Sequence, residues 1–125
     1  MAVVGVGVDA VDIDRLARVL GRRPGVARRA FTDTEREYAA RHRDPMPALA
    51  ARFAAKEATM KALGVGLGAF GLRDVEVERD DAGAPRLALR GTAASTAADR
   101  GARNLHLSLT HAESVAVALV VAESA

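Results

Sequence analysis

Arg52-Phe-Ala-Ala-Lys-Glu-Ala-Thr-Met-Lys-Ala-Leu-Gly64 forms the centre of this 125-residue chain. The segment predicts a long helix from about Ala48 to Leu63, with Gly64 as its C-terminal stop. Lys56 and Lys61 in this helix are the only lysines, and every other basic side chain apart from the histidines is arginine. A lysine is a compact, mobile point charge that suits a phosphate, whereas arginine is a rigid fork. The two lysines therefore indicate a functional helix.

Glu57 and Lys61 lie one helical turn apart, and two interpretations stay open. The simpler one is a surface ion pair that contributes about 0.2–0.5 kcal/mol. The other is a ligand site, because Phe53 and Met60 share their sector of the helix and would place the pair at a pocket wall. Lys56 is turned about 100° away from Glu57 around the helix and receives a supporting role only.

The N-terminal segment predicts a strand with a period of two residues. Its faces are Val4, Val6 and Val8 on one side and Gly5, Gly7 and Asp9 on the other. We expect the valine face to meet the core, and the glycine face to leave room for a ligand or another backbone near Asp9. Asp9 is then either a turn or cap residue, or it joins Glu57 in holding Mg²⁺ while substrate phosphates and water complete the shell.

The remaining pattern predicts an α+β protein with mostly antiparallel strands. Asp12 or Asp14 caps a first helix, and Gly21 to Gly25 is a loop. Thr32 and Glu35 form a capping box for the next helix. Strands are expected around Val75–Val77, Leu87–Leu89, Leu105–Leu109 and Val115–Val121, with a hairpin turn at Asp80–Gly83 and a short helix capped by Thr92.

His111 ends the predicted strand that carries His106, Ser108 and Thr110 on its polar face. A histidine in this position is more often a surface or turn residue than a catalyst, although a polar pocket wall is also possible. No histidine pair has the spacing of a zinc site.

The composition bounds the class of protein. The length predicts one domain, residues 1–125, and the formal net charge of +2 does not require nucleic acid. Cysteine is absent, which excludes disulfides and thiolate metal sites. No segment is long or apolar enough to predict a membrane span. Residues 1–8 are apolar but lack a basic start and run into acids, which does not predict a signal peptide, so we expect a cytoplasmic protein.

Three blocks in order carry a family resemblance: Gly5-Val-Gly-Val-Asp9-Ala-Val-Asp-Ile13, Arg52-Phe-Ala-Ala-Lys-Glu57-Ala with Lys61-Ala-Leu-Gly64, and Leu107-Ser-Leu-Thr-His111. Together with Phe31-Thr-x-x-Glu35 they span nearly the whole chain. The chain resembles the short holo-acyl-carrier-protein synthases, a family of 4′-phosphopantetheinyl transferases, and the central block is the most specific. This resemblance implies Mg²⁺-dependent transfer of the phosphopantetheine arm from coenzyme A to a serine of an apo acyl carrier protein. Adenosine 3′,5′-bisphosphate is the second product.

The resemblance also implies an α+β transferase fold, a homotrimer with active sites between subunits, and a role for each matching residue. Asp9 and Glu57 would be magnesium ligands, and Lys61 and His111 would join Glu57 in the catalytic site. Coenzyme A would be bound by Arg52, Lys61, Gly64, Gly83, Pro85 and His111. The carrier protein would dock on Arg15, Arg18 and Arg22, which share a helix face.

Two matters stay open at this stage. The proton of the carrier serine could go to Glu57, to His111 or to a metal-bound water. The carrier could serve fatty-acid or polyketide synthesis. The main alternative function is a non-catalytic module that holds an acidic helix on the arginine stripe of Arg15, Arg18 and Arg22.

Overall fold

The structure, a computed structural model, describes residues 1–125. In chain order the elements are β1 (Val3–Asp12), α1 (Ile13–Arg22), α2 (Gly25–Ala30), α3 (Asp33–Ala40), α4 (Met46–Ala62), a 3₁₀ turn (Leu72–Asp74), β2 (Val75–Arg79), β3 (Pro85–Leu89), α5 (Gly91–Asp99), β4 (Asn104–His111) and β5 (Val115–Glu123). The strands form an antiparallel three-stranded sheet in the order β1-β5-β4 and a separate β2-β3 hairpin. The α+β prediction is confirmed. None of the helices is both long and apolar enough to cross a membrane.

The central helix α4 packs against one face of the three-stranded sheet. It begins after Pro45, and Gly64 follows its end with a φ of +70°, a conformation that favours glycine. The prediction of this helix is confirmed, with a start two residues earlier than expected. Most of its residues are buried, because the sheet covers one side and α1, α3 and the β2-β3 hairpin cover others.

The glycine face of β1 makes the closest contact with α4. A Cβ atom at Gly5 would lie 1.7 Å from the backbone oxygen of Ala62, and one at Gly7 would lie 1.9 Å from that of Ala58. No side chain fits between the two main chains. The predicted room for another backbone is therefore confirmed, and that backbone is α4 itself.

The predicted direction of the valine face is wrong. Val4, Val6 and Val8 are exposed on the outer side of the sheet, while the glycine side of β1 faces α4. The alternation in β1 was predicted correctly. Its glycine face packs against α4, because that face lets the backbones of β1 and α4 come closer together. The outer side also carries exposed Leu119 of β5.

Lys56 is completely buried and joins four parts of the fold. Its Nζ donates to Glu35 Oε1 at 2.7 Å, to the Leu72 backbone oxygen at 3.0 Å and to the Val75 backbone oxygen. Burial lowers the pKa of Lys56, and the Glu35 carboxylate opposes this effect. Glu35 also accepts from the Thr32 and Val77 backbone N–H groups, each at 2.9 Å. The capping box of α3 is thereby connected to α4, the 3₁₀ turn and β2.

Three local predictions need correction. Part of the loop expected at Gly21 to Gly25 is helical, because α1 reaches Arg22 and α2 begins at Gly25. Thr92 does not cap α5, which begins one residue earlier and has Arg90 at its cap position without a side-chain hydrogen bond. Met60 is fully buried in the core and does not line a wall beside Glu57.

Candidate functional site

Asp9 and Lys61 meet where β1 crosses the last turn of α4. The Nζ of Lys61 donates to Asp9 Oδ1 and to the Val8 backbone oxygen, each at 3.0 Å. Asp9 lies on the same face of β1 as Gly7, and the close packing at Gly7 holds that face against α4. The lysine ammonium is half-exposed and the aspartate is mostly covered. A positive group reachable from solvent therefore stands over a partly buried carboxylate.

Glu57 joins this pair from the preceding turn of α4. Burial raises the pKa of its carboxyl to about 7, and Asp9 contributes by accepting a hydrogen bond from the protonated Glu57 and by its negative charge, while Lys61 opposes the rise. Two carboxyls close enough to influence each other in this way repel when both are ionised. A cation between them would relieve that repulsion.

The donor set fits Mg²⁺. Carboxylate oxygens are the protein ligands this ion prefers, and it commonly uses one or two of them together with water and substrate phosphates. No third histidine or acidic side chain joins Asp9 and Glu57 to form a closed cage. The arrangement resembles an open magnesium site that a phosphate-bearing substrate completes.

A mainly apolar cleft of about 460 Å³ adjoins Glu57. Phe53 forms a wall beside Glu57, and β1, α1 and α2 contribute the rest. The further lining residues are Ala10, Val11, Asp12, Arg15, Leu16, Val19 and Val26.

Helix α1, which borders this cleft, is capped by Asp12 rather than Asp14. The Asp12 side chain accepts a hydrogen bond from the Arg15 backbone N–H at 2.8 Å. Arg15, Arg18 and Arg22 are all exposed, so the predicted arginine stripe is free to meet a partner.

Arg52 and His111 line a second cleft, of about 310 Å³, on another side of the molecule. Arg52 is buried, its guanidinium lies 4.2 Å from the centre of the Tyr38 ring, and its Nε has no hydrogen-bond partner. Burial lowers the pKa of Arg52, and Tyr38 and Glu35 oppose that change. His111 is exposed at the end of β4. Within one chain, His111 and Glu57 thus belong to different clefts.

The other predicted coenzyme A residues lie apart from these clefts. Gly64 is exposed after α4. Gly83 has a φ of +88° in the turn of the β2-β3 hairpin, and Pro85 begins β3. The single chain therefore brings together Asp9, Glu57 and Lys61 but does not bring Gly83, Pro85 or His111 to them.

Sequence reasoning missed three residues of the second cleft. The guanidinium of Arg79 lies 5.1 Å from the centre of the Tyr38 ring and donates a hydrogen bond to the Tyr38 hydroxyl at 2.8 Å. His42 packs edge-on against the same ring, at 4.9 Å between centroids. The i, i+4 spacing of Tyr38 and His42 was an available signal for their contact. Arg79 comes from β2, and no local pattern connects it with α3.

Comparisons with known proteins identify the family of this chain. Residues 5–120 match the model of the 4′-phosphopantetheinyl transferase superfamily. The chain is 54% identical to the holo-[acyl-carrier-protein] synthase of Frankia casuarinae, over 99% of this chain and all of that protein. It is 46% identical to the synthase of the same name from Streptomyces avermitilis, over 98% of this chain and 99% of that one.

Solved structures show the same likeness. The holo-[acyl-carrier-protein] synthase of Neisseria meningitidis superposes with a TM-score of 0.89 at 31% identity, covering 98% of this chain and all of that one. The synthase of Bacillus anthracis, solved in complex with coenzyme A (3′,5′-ADP), gives a TM-score of 0.81 at 34% identity, with 98% of each chain covered. The sequence blocks, the fold and the full-length relatives agree, and the chain belongs to the 4′-phosphopantetheinyl transferase superfamily.

Proposed function

We propose that this chain is a holo-[acyl-carrier-protein] synthase. It would transfer 4′-phosphopantetheine from coenzyme A to a serine of an apo acyl carrier protein and release adenosine 3′,5′-bisphosphate. The observation that carries the proposal is the meeting of Asp9, Glu57 and Lys61 in a member of this superfamily. With a divalent cation between them, the two carboxylates and the neighbouring ammonium group would suit a bound pyrophosphate, which the carboxylates alone would repel.

The two carboxylates would hold Mg²⁺, which when bound would offset the negative charge of the pyrophosphate. Lys61 would contribute a second positive charge and, by its hydrogen bond, keep Asp9 in place. Glu57 lines the apolar cleft, and we propose that the incoming serine enters this cleft. Glu57 of one chain and His111 of the partner subunit are both candidates for orienting the serine hydroxyl and accepting its proton, because His111 lies in a different cleft of the same chain.

The second cleft has the chemistry of a nucleotide-binding surface. Arg52 offers an unpaired Nε, while Arg79 and His111 add further donors for phosphate oxygens. The relative from Helicobacter pylori was solved in complex with coenzyme A, as was the one from Bacillus anthracis. We propose that Arg52 and His111, together with Gly64, Gly83 and Pro85, hold the nucleotide part of coenzyme A.

In a homotrimer, the two clefts that lie apart in one chain could be brought together between subunits. A second copy could place its Arg52–His111 cleft beside the Glu57 of the first, so that each active site lies between subunits. The exposed valines of β1 and Leu119 of β5 support such an assembly, because they give the outer side of the sheet an apolar surface. We propose that this surface is the subunit interface.

The carrier protein would dock on the arginine stripe of α1, with its serine directed into the apolar cleft. Arg15 belongs both to the stripe and to the lining of that cleft. The whole chain would act as one catalytic domain, and the cytoplasm is its proposed location. The carrier would belong to fatty-acid or polyketide synthesis.

Intact-mass measurement on a panel of apo carrier proteins tests this function. The chain with Mg²⁺ and coenzyme A should add the mass of the phosphopantetheine arm to at least one carrier. Glu57→Gln should abolish or severely reduce the transfer, whereas Glu78→Gln, at an exposed glutamate of β2, should not. A fully active Glu57→Gln enzyme would refute the metal-site assignment. Carrier binding without any mass shift, under all metal conditions, would favour the non-catalytic module.

A further inference from the structure

The second cleft is assembled from three separate elements of the fold. Tyr38 comes from α3, Arg52 from α4 and Arg79 from β2. The two guanidinium groups lie 4.2 Å and 5.1 Å from the centre of the same Tyr38 ring, and neither forms an ion pair. Two positive charges at one ring repel each other. Their arrangement must therefore be held by contacts outside the cleft.

The buried pair of Glu35 and Lys56 connects the same three elements. The Glu35 carboxylate accepts from Lys56 Nζ of α4 at 2.7 Å and from the Val77 backbone N–H of β2 at 2.9 Å. Glu35 itself belongs to α3, and it closes the first turn of that helix through its capping box with Thr32. One carboxylate thus fixes α3, α4 and β2 relative to one another.

The contacts of this carboxylate lie close to the cleft residues along each element. Lys56 is one helical turn after Arg52, and Glu35 is one helical turn before Tyr38. The contact with β2 is made two residues before Arg79. A displacement of any of the three elements at the carboxylate would therefore move one wall of the cleft.

Glu35 and Lys56 take no direct part in the cleft. Both side chains are 0% exposed, and neither lines the cleft. A buried ion pair is a poor source of stability, because taking two charges out of water costs about as much as their attraction returns. An apolar pair would fill the same space, but it would not supply directed hydrogen bonds to three elements. The pair is therefore better suited to fixing an arrangement than to stabilising the fold.

We propose that Glu35 and Lys56 are positioning residues for nucleotide binding, which hold Arg52, Tyr38 and Arg79 in the arrangement that receives the nucleotide part of coenzyme A. This inference rests on the proposed function. Without the pair, the nucleotide itself would have to order the two arginines, and the cost of that ordering would weaken its binding. The proposed metal site is held separately, by the contact of the β1 glycines with α4.

Removing the pair as a unit tests this role. In Lys56→Met/Glu35→Gln, which leaves no buried charge unpaired, the Kd and the KM for coenzyme A should rise about tenfold, as expected when two long side chains must be ordered on binding. The Kd for adenosine 3′,5′-bisphosphate, measured by calorimetry, should rise equally. The kcat at saturating coenzyme A and the KM for the carrier protein should stay unchanged. Lys56→Met/Glu35→Met, with two apolar side chains in the same space, takes its place if the first double variant does not fold.

Tyr38 reports directly on the cleft, because it is the only tyrosine and the chain has no tryptophan. Its fluorescence and its near-ultraviolet circular dichroism should change in the double variants, while the far-ultraviolet spectrum stays that of wild type. Val120→Ala is the matched control, at a fully buried valine of β5 that lines none of the clefts described above. It leaves a cavity and lowers the stability, but it should keep the KM for coenzyme A and the Tyr38 signal.

Nucleotide binding, measured independently of turnover, separates this inference from the proposed function. If the wild type transfers the arm and the double variants keep its Kd and KM for coenzyme A, the positioning role is wrong and the function stands. If the wild type binds coenzyme A but modifies no carrier, and the double variants bind it more weakly with an altered Tyr38 signal, the positioning role stands and the function is wrong. A fall in kcat without a change in KM for coenzyme A, or an equal rise in that KM in Val120→Ala, would also overturn the positioning role.

Discussion

Lys61 Nζ and Asp9 Oδ1 lie 3.0 Å apart, although 52 positions separate the two residues in the sequence. The contact connects the last turn of α4 to β1 and places a cation next to one of the two paired carboxylates. Both residues keep part of their surface accessible, so a ligand can reach them. Each can therefore serve the fold and the proposed reaction.

Lys61→Met should lower kcat for carrier modification by about 10²-fold, the usual effect of removing one group that stabilises developing charge. Lys61→Arg should recover part of the loss, because it keeps the charge but not the compact ammonium. Steady-state kinetics at saturating coenzyme A is the measurement. A Lys61→Met enzyme with the wild-type kcat would remove Lys61 from the catalytic site.

Metal-free Glu57→Gln should be more stable than wild type above neutral pH. The pKa of Glu57 is raised to about 7 in the folded chain, so the fold favours the protonated carboxyl. Stability from this group is fully present below the unfolded-state pKa and is lost as the pH rises through about 7. Melting temperatures from pH 4 to 9 in the presence of a chelator should diverge as the pH rises from the ordinary pKa of 4.5 to about 7 and should stay apart above it.

If Glu57 is a magnesium ligand, Mg²⁺ should make wild type more stable than Glu57→Gln above neutral pH, because the ion stabilises the ionised carboxyl. Adding Mg²⁺ at pH 8 should raise the melting temperature of wild type and leave that of Glu57→Gln nearly unchanged. An equal rise in both proteins would contradict the proposed site.

Gly7→Ala should destabilise the chain by about 3 kcal/mol or more, since overpacking of a filled interior costs this much when the neighbour cannot move. The obstructing atom is a backbone oxygen of α4, only 1.9 Å from the position of the new Cβ. Gly66→Ala is the control, because a Cβ there meets no atom within 4 Å. Urea unfolding of the two variants should show a large loss for the first and little change for the second.

Lys56→Met should cost about 3–5 kcal/mol, because it leaves the Glu35 carboxylate buried without its charge partner. The double variant Lys56→Met/Glu35→Gln should recover much of this loss, because neither buried charge then remains. Comparing the unfolding free energies of both single variants with that of the double variant gives the coupling between the residues. Additive effects would show that the pair is energetically independent.

Val6→Asp should convert the proposed trimer into monomers, since it introduces a charge into the apolar outer side of the sheet. Sedimentation analysis would detect the change, and carrier modification should fall with it. Leu67→Asp, at an exposed leucine outside the sheet, is the control and should leave the assembly intact. A wild-type chain that sediments as a monomer would refute the interface.

Local patterns predicted most helices and strands, because capping residues, glycine stops and alternation act over a few residues. Thr32 with Glu35, and Gly64 after α4, are examples in which sequence and structure agree. Alternation in β1 could not say which face meets the core. That choice depends on α4, which lies far away in the sequence. Short α2 carried no signal that distinguished it from a loop.

The site was predictable only in part for the same reason. The block around Glu57 pointed to the helix, the glycine face of β1 pointed to Asp9 as a partner for Glu57, and the family resemblance implied the same pair. Nothing local revealed that Lys56 would be buried against Glu35, because that contact depends on how α3 and β2 pack. The contribution of Arg79 to the second cleft likewise depends on tertiary packing.

The backbone contact of Gly5 and Gly7 with Ala62 and Ala58 has a practical consequence for engineering. Main-chain atoms set the spacing between β1 and α4, so the distance from Asp9 to Glu57 does not depend on the size of any nearby side chain. The walls of the apolar cleft, such as Val19 and Val26, can then be varied to alter the choice of carrier protein without moving the two carboxylates. Directed evolution of specificity should therefore target those walls and leave both glycines unchanged.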